Sequence, residues 1–339
     1  MMSTKRWVAV GIALGVLFLS IISQVVTSLI FSAMNEEATS IVDFFMTDDR
    51  FHQEIIEEGD FSSRIAVLEV NGPIIDTDNS GLFSGGSGYN HQDFLDKLEI
   101  IAEDSTIHGV ILSINSPGGG SFESAQIARR LDALQEDFDL PIYASFGAMA
   151  TSGGYFIAAG ADRIFVTPQT WTGSIGVVVS TLNFSGLMER HGVSQNITTS
   201  GDFKDIFSMY RPSTEADKQI MQTLVDDTFD DFVDVIVRGR GLSEARVREI
   251  GDGRIINGSQ AVEMDLADDF GELADVIVAM RESQSLHHAE VFRFESTQGG
   301  VGSIFLSRVG QVFGQNDLIS SRLFGQGNTP RAMLIYGGQ

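Results

Sequence analysis

A serine that attacks an acyl carbon needs a proton acceptor, two N–H donors for the oxyanion, and a backbone that presents its hydroxyl. The stretch Met149-Ala150-Thr151-Ser152-Gly153-Gly154-Tyr155 offers such a presentation. Ser152 stands among small residues just before an apolar run over 155–159, which reads as the start of a buried helix. The first N–H groups of a helix are unpaired and lie at the positive end of its dipole, so negative charge is stabilised there. Serine is also a common helix N-cap, worth about 1 kcal/mol to its helix without any chemistry. The motif alone leaves both readings open.

The proton acceptor is the harder requirement. The six histidines, His52, His91, His108, His191, His287 and His288, lie in polar, surface-like or tail contexts, and none follows a strand end. The GxSxG turn of α/β-hydrolases is absent, because Ala150 stands two places before Ser152. The chain has no cysteine, which excludes a thiol nucleophile, disulfides, zinc–thiolate sites and iron–sulfur clusters. Lysine can act as a base when it is neutral; its ordinary pKa of about 10.4 falls by several units on burial, whereas arginine stays protonated. Of 22 basic residues only four are lysines: Lys5, Lys97, Lys204 and Lys218. Lys204 sits among Phe203, Ile206, Phe207, Met209 and Tyr210 and is the candidate base. The alternative is a surface lysine paired with Asp202 or Asp205.

The second oxyanion donor must come from another turn. Asn115-Ser116-Pro117-Gly118-Gly119-Gly120 follows the apolar stretch 109–114 and precedes a helical pattern over 121–135, which makes one βα unit. Strand 141–145, the Ser152 turn and its helix make the next, and a short strand comes after them at 162–166. Repeated βα units imply a mainly parallel sheet whose ligands collect at the carboxyl ends of the strands, where both glycine turns lie. Gly118 or Gly119 could then join Gly153 in an oxyanion hole, glycine letting the backbone approach closely. A plain tight turn, or a cradle for phosphate or a coenzyme A thioester, is the alternative. The Lys-Ser/Thr of a P-loop is missing.

Around this core the pattern predicts a strand over 65–70, a Gly/Ser-rich loop over 80–88 and a helix over 91–104. Next come a small β-rich piece over 169–179, a short helix over 182–189, a strand over 193–199 and a long helix over 213–238. Further helices are expected near 243–250, 258–264 and 271–282. Residues 7–33 carry no charge, and as a helix they would be about 40 Å long against a hydrocarbon core of about 30 Å. They read as a spanning anchor rather than a cleaved signal peptide, whose apolar region is shorter. Lys5 and Arg6 before it place the N-terminus in the cytoplasm and the rest outside. The expected organisation is a cytoplasmic start (1–6), an anchor (7–33), an acidic stalk compatible with a helix (34–62), a catalytic domain (63–282) and a mobile tail (283–339).

The net charge of −24 argues against nucleic acid as a partner and is compatible with a salty or alkaline exterior. The tail ends in Ala332-Met333-Leu334-Ile335-Tyr336, an apolar stretch that could lie extended in a peptide groove.

Together these stretches closely resemble the signal peptide peptidase A family, membrane-anchored serine peptidases with a Ser–Lys dyad on a Clp-protease/crotonase-like fold of repeated ββα units. The resemblance covers roughly 64–282. It rests on Asn115-Ser116-Pro117-Gly118-Gly119-Gly120, Ala150-Thr151-Ser152-Gly153-Gly154-Tyr155, Thr172-Gly173-Ser174-Ile175-Gly176-Val177 and Ser200-Gly201-Asp202-Phe203-Lys204-Asp205. It implies Ser152 as nucleophile, Lys204 as general base, Ser174 as the hydroxyl that orients the lysine, and Gly153 with Gly118 or Gly119 as oxyanion donors. No metal or organic cofactor is implied. Ala148 and Thr151 depart from the pattern, standing where Ser and Ala are expected. The resemblance further implies cleavage of remnant signal peptides and unfolded apolar peptides, and a homo-oligomeric ring on the membrane. An octamer is among the sizes it allows, and Ser152 of one subunit could there meet Lys204 of its neighbour. Two other classes stay in view: a crotonase-type lyase or hydratase, and a non-catalytic membrane scaffold.

Overall fold

The computed structural model describes residues 51–76, 89–296 and 333–335. The expected anchor over 7–33, the first part of the stalk, the Gly/Ser loop over 80–88 and most of the tail lie outside the described residues. Apart from Phe51 and His52, the described residues belong to one compact unit, Gln53–Gln339.

Its frame is a mainly parallel arrangement built from the strands with the longest apolar runs. β2 (Asp60–Asn71) and β3 (Ile107–Ser116) lie side by side, with Ile65 to Leu68 on one and Val110 to Leu112 on the other almost wholly buried. Strands buried on both faces read as continuous apolar stretches, which makes these two legible in sequence. β5 (Ile142–Thr151) pairs with β3, β6 (Arg163–Val166) with β5, and β9 (Asp269–Phe270) with β6, all parallel. The far end of β5 also takes β7 (Trp171–Gly173) in parallel, and β7 pairs antiparallel with β8 (Ile255–Asn257). Helices α1 (His91–Glu103), α2 (Ser121–Phe138), α3 (Gly153–Ala158) and α8 (Leu273–Ser283) cover the sheet. Among the described residues no helix is long and apolar enough to cross a membrane.

Two expectations about the boundaries are corrected. The stretch expected as stalk contains β1 (Phe51–Glu57) and the start of β2, and the stretch expected as tail contains β10 (Ala289–Ser296), which pairs parallel with β2. The acidic residues that suggest a stalk have distant partners: Glu54 accepts from Arg293 and Glu57 from Arg281, more than 220 residues away. Ala289, Val291 and Phe292 complete the core beside β2. Beneath them Arg64, 2% exposed, donates to Gln53, Asp104 and Thr106 and lies over the rings of Phe61 and Phe292. A buried guanidinium is tolerated when its donors are satisfied.

A second region stands apart in character. Residues 179–214 hold one short helix, α4 (Ser185–Arg190), which buries none of its residues. The strand expected over 193–199 is irregular; Val193 and Ile197 are exposed, and among the described residues no neighbouring strand supplies a ladder. This arm leads into α5 (Glu215–Arg240), opened by a capping box between Thr214 and Asp217 and closed by Gly241 at φ 65°. The second half of α5 packs on the core through Phe232, Val233 and Ile236, with the Phe232 and Phe156 rings 5.1 Å apart. Helices α6 (Glu244–Ile250) and α7 (Gly258–Glu263) complete this side.

Candidate active site

The carboxyl ends of β3 and β5 lie next to each other, Ser116 opposite Ala150, so the two glycine turns beyond them are neighbours. Contact between them is close: a Cβ on Gly154 would lie 3.2 Å from the Ser116 carbonyl oxygen. Two threonines hold the end of β5 in place, Thr170 donating to the Gly147 carbonyl at 2.9 Å and Thr172 to that of Ala150 at 2.7 Å.

Ser152 sits at the corner between β5 and α3, at φ 53° and ψ −115°. A non-glycine residue in such a conformation carries strain of order 1–3 kcal/mol and persists only where its surroundings impose it. Here the Ser152 N–H donates to the Gly173 carbonyl at 2.8 Å, and the Ser152 carbonyl accepts from Phe156 at 2.8 Å. The residue is 1% exposed, and among the described residues its hydroxyl has no hydrogen-bond partner. A buried hydroxyl left unpaired costs about 1–3 kcal/mol, so the site keeps an alcohol unsatisfied where another group can engage it. Gly153, the first residue of α3, has an N–H without an intrahelical acceptor.

The second glycine turn has its own supports. Gly118, at φ 97°, donates its N–H to Ser116 Oγ at 3.1 Å, and its carbonyl accepts from Ile74. Gly119 admits no side chain, since a Cβ there would lie 1.9 Å from the Ile74 carbonyl oxygen. These glycines form the short strand β4 (Gly118–Gly120), and β11 (Met333–Ile335) pairs with it antiparallel, Leu334 opposite Gly119. The chain's own apolar C-terminal segment thus lies on the glycine strand.

Ser174 comes directly after Gly173, the acceptor of the Ser152 N–H, and is buried at φ 51° with its N–H donating to the Arg254 carbonyl at 2.7 Å. Beside it opens a cleft of about 470 Å³ lined by Ser174, Val177, Val178, Val225, Phe229 and Gly253. The two serines and both glycine turns therefore come together. Lys204 does not join them within the chain: it is exposed, in the turn 201–207 of the arm, and donates nothing to the Ser152 hydroxyl.

A chain with this sheet and corner has relatives. The profile of Peptidase family S49 matches residues 135–287. A protein of Enterococcus faecium, named "Putative signal peptide peptidase SppA", is 39% identical over 345 residues, covering 99% of this chain and all of its own length. The chain belongs to peptidase family S49. This S49 member is a serine peptidase, a hydrolase. It is also similar to "Putative protease slr0021" of Synechocystis, 38% identical over 51% of this chain and 62% of the relative. "Protease 4" of Haemophilus influenzae is 29% identical over 74% of this chain and 39% of the relative. The rival readings as lyase or scaffold are not favoured by these matches.

One reading of the histidines is corrected. His91, expected at the surface, is buried, with Tyr89 at one ring nitrogen (2.6 Å) and Gln126 at the other (2.9 Å). Sequence reasoning also misses Ile74 and Thr170, and finds Ser116 and Thr172 only as parts of their glycine motifs. Each acts through a backbone group, and a hydroxyl that will meet a carbonyl looks in sequence like any other. Nothing in the structure explains why Thr151 carries a hydroxyl, which is buried and unpartnered among the described residues.

Proposed function

We propose that this chain is a membrane-anchored endopeptidase that cuts remnant signal peptides and other unfolded apolar segments at the outer face of the cytoplasmic membrane. The observation that carries the reading is the strained, buried Ser152 whose hydroxyl is unpartnered beside two glycine turns. In this reading residues 7–33 are the anchor, and the parallel sheet belongs to a Clp-protease/crotonase-like core of repeated ββα units.

The chemistry assigns a role to each group. A neutral Lys204 amine takes the Ser152 Oγ proton as Oγ bonds to the peptide carbonyl carbon, and Ser174 orients that amine. The oxyanion receives N–H groups from Gly153 and Gly119; Gly118 is the poorer donor because its N–H already meets Ser116. The C–N bond then breaks, the lysine ammonium gives its proton to the leaving amine, and water repeats the sequence on the acyl-enzyme. The substrate joins the glycine strand as an added strand, as β11 does, so that main-chain bonds hold it whatever its side chains.

Lys204 comes from a neighbouring subunit in a homo-oligomeric ring. Three features support this: the Ser152 hydroxyl has no partner among the described residues, Lys204 is exposed, and the arm that carries it turns Leu182, Leu187, Val193, Phe203 and Tyr210 outward. An arm without a core of its own gains one by docking on a second copy. Taking the amine out of water in such a contact favours its neutral form.

The test is peptide hydrolysis by wild type, Ser152→Ala, Lys204→Ala and Lys204→Arg, with assembly checked. All three variants should lose about 10⁴-fold or more, arginine faring no better than alanine. Mixing Ser152→Ala with Lys204→Ala subunits should restore activity at about one site in four. Retained activity in Lys204→Arg removes the proposed base, and no recovery on mixing places both partners within one subunit.

A further inference from the structure

The arm that bears Lys204 has no core, yet one side chain ties the Lys204 turn to a packed element. Arg211 grips Asp205, the residue after Lys204, through both carboxylate oxygens: Nε to Oδ2 and Nη2 to Oδ1, each at 2.9 Å. The same guanidinium reaches Asp217 in the first turn of α5, Nη1 to Oδ2 at 2.5 Å and Nη2 to Oδ1 at 3.3 Å. Asp217 is itself fixed: its carboxylate accepts from the Thr214 N–H at 2.9 Å, and its side chain is 3% exposed. Among the described residues no other ion pair joins the turn 201–207 to the rest of the chain.

The bridge continues into the nucleophile's support. α5 is packed on the core by Phe232 against Phe156 of α3, the helix that begins next to Ser152. At its far end Gly239 lies so close to Ala159 that a Cβ would come within 2.0 Å of that carbonyl oxygen. A rigid helix thus runs from the nucleophile's own helix to Asp217, and Arg211 carries that rigidity to the turn of Lys204.

We propose that Arg211 is a positioning residue for the general base: it clamps the Lys204 turn to the start of α5, so that each subunit presents its amine at a fixed place to the site it serves. The proposal rests on the reading of Lys204 as base. Only arginine can do this, because the task needs a planar fork that meets two carboxylates at once; a lysine ammonium is a point charge. Arg211 touches neither substrate nor the reacting atoms.

The test uses the full-length assembled protein with Arg211→Gln, Arg211→Lys and Asp205→Asn beside Lys204→Ala. Misplacing a catalytic group by about 1 Å costs on the order of 100-fold, so Arg211→Gln should lower kcat by about that factor with KM within about twofold. Arg211→Lys should recover only part of the loss. Arg211→Gln subunits should regain activity when mixed with Ser152→Ala subunits, which bring an intact bridge, and not with Lys204→Ala subunits. A merely structural defect would change melting or assembly and would follow no such pairing. If Arg211→Gln fails to fold, Asp205→Asn decides, since it frees the turn while leaving Arg211 on Asp217. Lost activity in Lys204→Ala with kcat of the folded bridge variants within twofold of wild type overturns this inference alone. Full activity in Lys204→Ala overturns the base reading and this inference with it.

Discussion

The corner at Ser152 and the arm over 179–214 belong to one chain and obey opposite rules. At the corner, strand ends, threonine hydroxyls and Gly119, too close to the Ile74 carbonyl for any Cβ, restrict the backbone. In the arm, α4 buries nothing and Leu182 is 69% exposed. A nucleophile and its oxyanion donors must be held before the reaction begins, and the core of a single subunit can do that. An apolar arm that its own subunit leaves uncovered is built for a surface elsewhere, and in the proposed ring that surface is the next copy.

The sharpest way to break this contrast is to charge the arm. Leu182→Asp with Leu187→Asp places two carboxylates where both side chains are exposed in the subunit, so subunit stability should change by no more than about 0.5 kcal/mol per site. Assembly should fail, and activity should fall by about 10⁴-fold or more, as in Lys204→Ala, because each Ser152 loses its proposed base. Sedimentation, melting and peptide turnover on one preparation check all three. Full activity in a monomer would show that the arm serves its own subunit.

The contrast also explains what can be read from the chain. The corner is legible because its demands are local: small residues around Ser152, glycines after an apolar strand, and continuous apolar stretches for β2, β3 and β5. α5 is legible from Thr214 and Glu215 at its start and Arg238 and Arg240 at its end. β1 and β10 are hidden because Glu54 and Glu57 have arginine partners more than 220 residues away, and in sequence they are only acidic residues. The apolar residues of the arm mislead in another way. Val193 and Ile197 have the pattern of a strand, but pattern reports that a side chain seeks cover and does not say in which molecule.

A smaller effect tests the rigid half. Gly119→Ala puts a Cβ 1.9 Å from the Ile74 carbonyl, so β4 or the segment at Ile74 must shift. Overpacking of this kind costs about 1–3 kcal/mol, and moving a proposed oxyanion donor should lower kcat by about 100-fold. Thermal melting beside steady-state kinetics separates the two. A single methyl should therefore disturb the corner more than two charges disturb the folded subunit at the arm. Equal melting of Gly119→Ala and wild type would show that the glycine strand yields, and would remove the argument for a preformed site.

The smallest expected change concerns β11, which lies on the rigid half. Because Leu334 is opposite Gly119, the C-terminal segment occupies the edge that an incoming peptide would use. Removal of residues 331–339 should raise turnover of a short apolar peptide by about two- to tenfold, mainly through a lower apparent KM. A tethered competitor acts at an effective concentration in the millimolar range, so its removal shows mainly in the apparent KM. The cut must fall after residue 330, since an earlier one at Ser283 would remove β10 from the sheet and confound the result. The released peptide, added back in trans, should inhibit at concentrations far above those it needs when attached. Unchanged KM after truncation would mean that β11 yields the edge to substrate at no cost, and that the glycine strand alone sets affinity.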